Sequence, residues 1–169
     1  MELTTLGPLP PAVVDPALIR QVCGQFVTGV TALTSLDDGE PVGVTINSFT
    51  SVSLDPPLVL CCVHHRSRVL PALRSSGVFA VNILAEDQEE ISLGLARAGG
   101  GLITAVDARH GVTGAPLIPG ILAFLDCTVR EVLDGGDHVI VIGQVVDLEV
   151  VRADGGPLMF FRSAHRALR

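Results

Sequence analysis

Residues 43–68 read GVTINSFTSVSLDPPLVLCCVHHRSR, and this stretch decides the fold class. Short β-branched runs (VTI, SVS, LVLCCV) follow one another, with Asp55-Pro56-Pro57 as turn residues between them. That is the pattern of brief strands, not of a helix with 3.6-residue apolar spacing. Working outward, the runs VTGVTALT (27–34) and PVGVTINS (41–48) flank Leu36-Asp37-Asp38-Gly39-Glu40, which reads as a hairpin. A second hairpin is predicted where ILAFLDCTVREVL (121–133) and HVIVIGQVVDLEVV (138–151) flank Asp134-Gly135-Gly136-Asp137. VFAVNIL (78–84) and PLMFF (157–161) supply further strands, the second followed by a basic tail. Helices are predicted at three places: over ALIRQVCGQF behind the cap Asp15 and Pro16, over RVLPALRSS behind Ser67, and over EDQEEISLGLAR, with acids in its first turn and arginine in its last. Gly99, Gly100 and Gly101 end the third helix and open a loop. Many short strands with about three helices, not in strict βαβ alternation, predict a mainly β protein: an antiparallel barrel with appended helices.

The chain has 169 residues, so residues 15–169 are read as a single domain, preceded by a flexible proline-rich arm over residues 1–14. Its 11 basic residues are all arginines, and lysine, tyrosine and tryptophan are absent. Schiff-base chemistry, a Walker-type phosphate loop and tyrosine acid–base catalysis are thereby excluded. A net charge of −7 argues against nucleic acid as a partner. Hydrophobic residues make up 48% of the chain and mean hydropathy is +0.53, yet no apolar run is long enough to span a bilayer. The excess is read as buried, partly between subunits of a homodimer. The N-terminus lacks a basic segment and its prolines interrupt any apolar one, so a cytoplasmic location and no membrane association are expected. Cys23, Cys61, Cys62 and Cys127 are expected to be reduced, small core residues.

Between Gly43 and Arg68 the polar positions carry the chemistry. Thr45, Asn47, Ser51 and Ser53 share one parity if the segment is a continuous strand, lining one face with hydroxyls and an amide. Such a face suits a flat heterocycle with several donors and acceptors. From alternation alone, the solvent-facing side of an amphipathic barrel is the simpler reading. Ser67, Arg68 and their neighbours Arg66 and Arg74 form a basic patch at a helix start, which is equally the pattern of a solvated helix end. His64 and His65 are adjacent, so they do not converge on one ion, and no metal site is expected. His138 stands where the second hairpin returns; taken alone it is evenly a turn histidine or a site residue.

TINSFTSVSLDPPLVLCCV resembles the characteristic segment of the flavin reductase-like family, the small components of two-component flavin-dependent monooxygenases. Three further segments keep the family's order: Ser76 to Leu84, Gly136-Asp137-His138 with Gly143 following, and Pro157 to Arg162. Together they cover roughly residues 20–168. The resemblance implies a split β-barrel of Greek-key, FMN-binding type with a few peripheral helices. It implies a homodimer that binds FMN or FAD, reduces it with NADH or NADPH, and releases the reduced flavin to a separate monooxygenase. Residue by residue, it places Thr45, Asn47 and Ser48 on the isoalloxazine and near ribityl end, with Ser51, Val52 and Ser53 alongside. It adds Cys62, Val63 and His64 to the cofactor wall and gives the phosphate to Ser67 and Arg68. His138 becomes the catalytic residue beside the flavin and nicotinamide.

The tail departs from the pattern, for His165 stands where the family usually carries tyrosine, at the border of the second-substrate pocket. Leu93, Leu95, Leu102 and Ile103 also replace phenylalanines usual after Glu90. Two other classes therefore stay open at the level of sequence: a protein that keeps its flavin and acts on an organic substrate, and a non-catalytic flavin- or haem-binding barrel.

Overall fold

The computed structural model describes residues 14–97, 101–102 and 109–168. The expected arm over residues 1–14 lies outside them apart from Val14, as do Gly99, Gly100 and Ile103. Helix α1 spans Pro16–Cys23, with the Asp15 carboxylate accepting from the Ala17 N–H at 2.8 Å. It is shorter than the ALIRQVCGQF run because Gly24 caps it. The first expected strand is two strands, β1 (Thr28–Gly29) and β2 (Thr31–Asp37). They separate at Val30, whose N–H donates to Leu158 O while its carbonyl accepts from Leu84 N, so the chain exchanges partners there.

Strands β3 (Glu40–Ile46), β4 (Thr50–Leu54), β5 (Pro57–His64) and β6 (Val78–Ile83) follow, with helix α2 (Val69–Ser76) between the last two. A 3-10 turn over Glu86–Gln88 leads into α3 (Glu89–Ala96). Then come β7 (Gly101–Leu102), β8 (Arg109–His110), β9 (Pro116–Leu117) and the long strands β10 (Ala123–Gly135) and β11 (His138–Val150). The chain closes with β12 (Met159–Phe161) and β13 (Ala164–Arg166), so the stretch read as a basic tail folds back as a strand. Its turn places Arg162 and Ser163 at positive φ, 49° and 60°.

Both predicted hairpins form, β2 with β3 and β10 with β11. The fold is mainly β: one antiparallel sheet of eight strands in the order β4-β5-β11-β10-β6-β2-β3-β7, beside the small sheets β1-β12-β13 and β8-β9. The β10–β11 hairpin is thus wedged between β5 and β6, an order that local sequence does not announce. The sheet curls until the residues after β3 meet β5. There the Ser48 hydroxyl accepts from Cys62 N–H and donates to Cys62 O, both at 3.0 Å. A side chain, in place of a backbone ladder, bridges the seam.

Two apolar clusters fill the fold. One is packed inside the curl around Phe79, Leu33, Leu73 and Val141. The other lies between β6, the 115–121 segment and α3, around Leu84, Ile118 and Ile121. Asn82 ties the 115–121 segment down with no loss of satisfied groups: its amide donates to Ala32 O and Thr34 Oγ1, and its carbonyl accepts from Ile118 N–H at 2.8 Å. Gly143 of β11 is needed for packing, because a Cβ there would stand 2.3 Å from Phe79 Cζ. Among the described residues no helix is long and apolar enough to cross a membrane.

Three local expectations need correction. The segment 43–54 is not one strand, since β3 ends at Ile46 and β4 begins at Thr50, so the shared parity of Thr45, Asn47, Ser51 and Ser53 does not exist. Arg68, with helical φ, occupies the cap position of α2, and Ser67 one residue earlier accepts from Val69 N–H at 3.4 Å. Arg97 lies beyond the last turn of α3, in extended conformation.

Candidate functional site

A cavity of about 200 Å³ lies at the seam between the end of β3 and β5. Eight residues singled out from the sequence line it: Thr45, Asn47, Ser48, Cys62, Val63, His64, Ser67 and His138. Strand alternation explains Cys62 and His64, but not Val63. Val59, Cys61 and Val63 are buried in the core, while Leu60, Cys62 and His64 are half-buried on the opposite side. His64 and His65 accordingly part company. His64 faces the cavity, while the His65 ring is hydrogen-bonded through Nε2 to Gly136 O of the β10–β11 turn.

The histidine pair at the mouth is ordered by its neighbours. His64 Nδ1 accepts from Arg66 N–H at 2.9 Å, which leaves the proton of the neutral ring on Nε2. His138 is opposite His64 in the β5–β11 ladder, and their rings meet edge to face at 5.0 Å and 76°. His138 Nδ1 donates to Asp137 Oδ1 at 2.6 Å, so its Nε2 is an acceptor when the ring is neutral. That hydrogen bond from His138 holds the Asp137 carboxyl below the usual carboxylate range. A depressed carboxylate contributes stability above its unfolded pKa and loses it as pH falls through the folded one, so the carboxylate's share of the Asp137–His138 contact is lost in acid.

Other expected residues lie elsewhere. Ser51, Val52 and Ser53 belong to edge strand β4, where the register slips between Ser51 and Ser53, and none of them lines the cavity. Arg68 is exposed at the start of α2, one residue past buried Ser67, and is also outside the cavity wall.

His165 lines a second hollow of about 250 Å³, between β3, α3 and β12. Its Nε2 is 3.0 Å from Ser92 Oγ and its Nδ1 3.3 Å from Glu89 Oε1, and its ring meets Phe160 edge to face at 5.6 Å. Thr45 Oγ1 donates to the Ser92 carbonyl at 2.6 Å, so its proton is committed to α3 and its lone pairs remain for a ligand. Thr45 and Asn47 line both hollows. Asn47 also lines two further ones, of about 500 Å³ and about 370 Å³. Glu89, Ser92 and Phe160 escaped the sequence reading; in sequence Glu89 is an ordinary helix-start acid and Phe160 an ordinary strand residue.

The thiols divide in two. Cys61 and Cys127 are buried, which pushes the Cys61 thiol far up and that of Cys127 up to about 12. Cys23 is exposed and Cys62 half-buried, so the expectation of four core cysteines holds for two of them. All four are free.

The seam cavity suits a flat, hydrogen-bonding heterocycle. Its wall offers the Asn47 amide, which makes no hydrogen bond among the described residues, the outward lone pairs of Thr45, and the His64 and His138 rings at the rim.

Comparison with known proteins identifies the family. Residues 23–169 match the family model described as the flavin reductase like domain. The chain is 42% identical over 158 residues, covering 93% of itself and 84% of the relative, to the flavin-dependent monooxygenase reductase subunit HsaB of Mycobacterium tuberculosis. Among solved structures it resembles the nitrilotriacetate monooxygenase component B homologue of Mycobacterium thermoresistibile, with TM-score 0.83, 43% identity, and 90% and 86% of the two chains covered. It also resembles the NADH:FAD oxidoreductase SgcE6 of Streptomyces globisporus, with TM-score 0.84, 38% identity, and 95% and 99% covered. With a match to that family model over residues 23–169 and a relative 42% identical along 93% of its length, the chain belongs to the flavin reductase-like family.

Proposed function

We propose that this protein is an NAD(P)H:flavin oxidoreductase that binds FMN or FAD, reduces it, and hands the reduced flavin to a separate monooxygenase component. The observation that carries this reading is the pair of adjoining hollows that share Thr45 and Asn47, one bordered by His64 and His138 and the other by His165 and Phe160. Two stacked rings need two such walls. A bound flavin supplies a two-electron acceptor for hydride from the nicotinamide C4. The chain's residues align and enclose. Asn47, the Thr45 lone pairs and the backbone around Ser48 orient one ring, while Phe160 and His165 present a largely apolar wall to the other and exclude water. Ser67, with the start of α2 and exposed Arg68 beside it, is the phosphate end. No general base is required of the protein, in keeping with a chain that lacks lysine and tyrosine.

Anaerobic mixing tests the reading: catalytic amounts of protein with excess NADH or NADPH should bleach the visible absorbance of added FMN or FAD. Flavin that stays oxidised under these conditions with both nucleotides refutes it.

The assembly we propose is a homodimer. Helix α1 buries none of its residues, and Leu18 and Val22 are 51% and 63% exposed. On the outer face of β11, Val146, Leu148 and Val150 recur at every second position with exposures of 48%, 62% and 68%. Apolar stripes of this kind on a folded chain mark an interface. Leu148→Arg should therefore convert the particle to a monomer in light scattering, and an unchanged mass would remove this face from the interface. The absence of a disulfide among the four cysteines supports the cytoplasm as the compartment.

A further inference from the structure

The hollow of about 370 Å³ that Asn47 also lines lies between α1 and the β12–β13 turn, and its lining includes Arg20, Thr28, Phe160 and Arg162 but no acidic residue. In a chain of net charge −7, this is a concentrated positive wall. Among the described residues neither guanidinium forms an ion pair. Arg162 is fixed through Nε and Nη2 to the neutral Gln25 Oε1, at 3.0 and 2.8 Å, and lies over the Phe161 ring at 4.9 Å. Arg20, on the exposed surface of α1, forms no ion pair among the described residues.

The hollow is continuous in its lining with the His165 one, since Phe160 and Asn47 belong to both. Leu18 and Val22 lie on the far side of α1 from Arg20, because residues two apart on a helix are separated by about 160°. The apolar face proposed for the dimer and the cationic face are thus different surfaces of one helix.

We propose that Arg20 and Arg162 form the diphosphate site of the dinucleotide co-substrate, with the nicotinamide end in the adjoining His165 hollow. The assignment rests on the reductase reading above. A diphosphate can come from NAD(P)H or from FAD, and the site is assigned to the former, because this hollow shares both Phe160 and Asn47 with the His165 hollow and only Asn47 with the seam cavity that holds Ser67.

The test is steady-state reduction of FMN by wild type, Arg20→Gln and Arg20→Lys, with NADH and with 1-benzyl-1,4-dihydronicotinamide, which carries no phosphate. Losing a charged hydrogen bond should raise the KM for NADH about tenfold in Arg20→Gln, with kcat and the Kd for FMN near wild type, and with less loss in Arg20→Lys. With the phosphate-free donor the variants and wild type should be indistinguishable, and inorganic pyrophosphate should compete with NADH in wild type more strongly than in Arg20→Gln. An unchanged KM for NADH overturns the proposal, as does an equal loss with the phosphate-free donor, which would make Arg20 structural. A loss confined to the KM for FAD would transfer the site to the flavin and overturn it too. Wild type that reduces flavin with neither donor would instead defeat the reductase reading itself.

Discussion

Gly143→Ala is expected to destabilise the protein by about 1–3 kcal/mol. The new Cβ would stand 2.3 Å from Phe79 Cζ, 2.7 Å from Phe79 Cε1 and 3.2 Å from Cys127 Cβ. Phe79 is fully buried in the main cluster, so its ring has no open space to swing into. β11 is held on both sides, by β5 and β10, and cannot retreat either. Close packing converts one methyl group into strain across the centre of the sheet. Chemical denaturation of wild type, Gly143→Ala, Phe79→Leu and the double variant measures this. The two single changes should be less damaging together than their sum, with a coupling of about 0.5–3 kcal/mol. Additive losses would mean that the ring and the strand do not compete for the same space.

The second large effect is expected at the seam. Ser48→Ala removes the group that satisfies both Cys62 N–H and Cys62 O, at a position where β5 has no strand neighbour on that side, since β4 pairs only up to Leu60. A partly buried, unpaired donor and acceptor cost about 1–3 kcal/mol together, less whatever water restores. The damage is not to stability alone, because Ser48, Cys62, Asn47 and His64 line one cavity. Loosening the seam should weaken flavin binding about tenfold in a fluorescence titration, while Ser48→Thr, which keeps the hydroxyl, should stay near wild type. A Ser48→Ala protein that melts as wild type does and binds flavin equally well would show that the seam closes without this bridge.

What sequence could and could not disclose follows the range of the interactions. Both long hairpins were legible because Asp38-Gly39 and Gly135-Gly136 are local turn chemistry, and Gly39 and Gly136 do adopt positive φ, 86° and 83°. The insertion of the β10–β11 hairpin between β5 and β6 was not legible, because it depends on pairings between residues far apart in the chain. Val30 shows the same limit at one residue: nothing in VTGVTALT signals that the chain changes partners there. Eight of the expected residues do line one cavity, but the strand parity that first grouped some of them does not exist; they meet because the sheet curls, and only the family resemblance anticipated that. Ser51, Val52 and Ser53 lie off the cavity wall, since the bend at 47–49 and the register slip in β4 break the simple alternation, and Arg68 lies off it because it is exposed at the start of α2, one residue past Ser67. Arg20 and Arg162 were unreadable as a pair, coming from opposite ends of the chain and meeting only across the β12–β13 turn.

Asn47 lines four hollows at once. Such a position is pleiotropic: a substitution there alters every compartment together and cannot tune one ligand without disturbing the rest. Diversification of specificity on this scaffold is therefore channelled to walls that serve a single hollow, His138 for the seam cavity, His165 for its neighbour and Arg20 for the cationic one. An engineer wishing to exchange one substrate for another should vary those three and leave the crossroads alone.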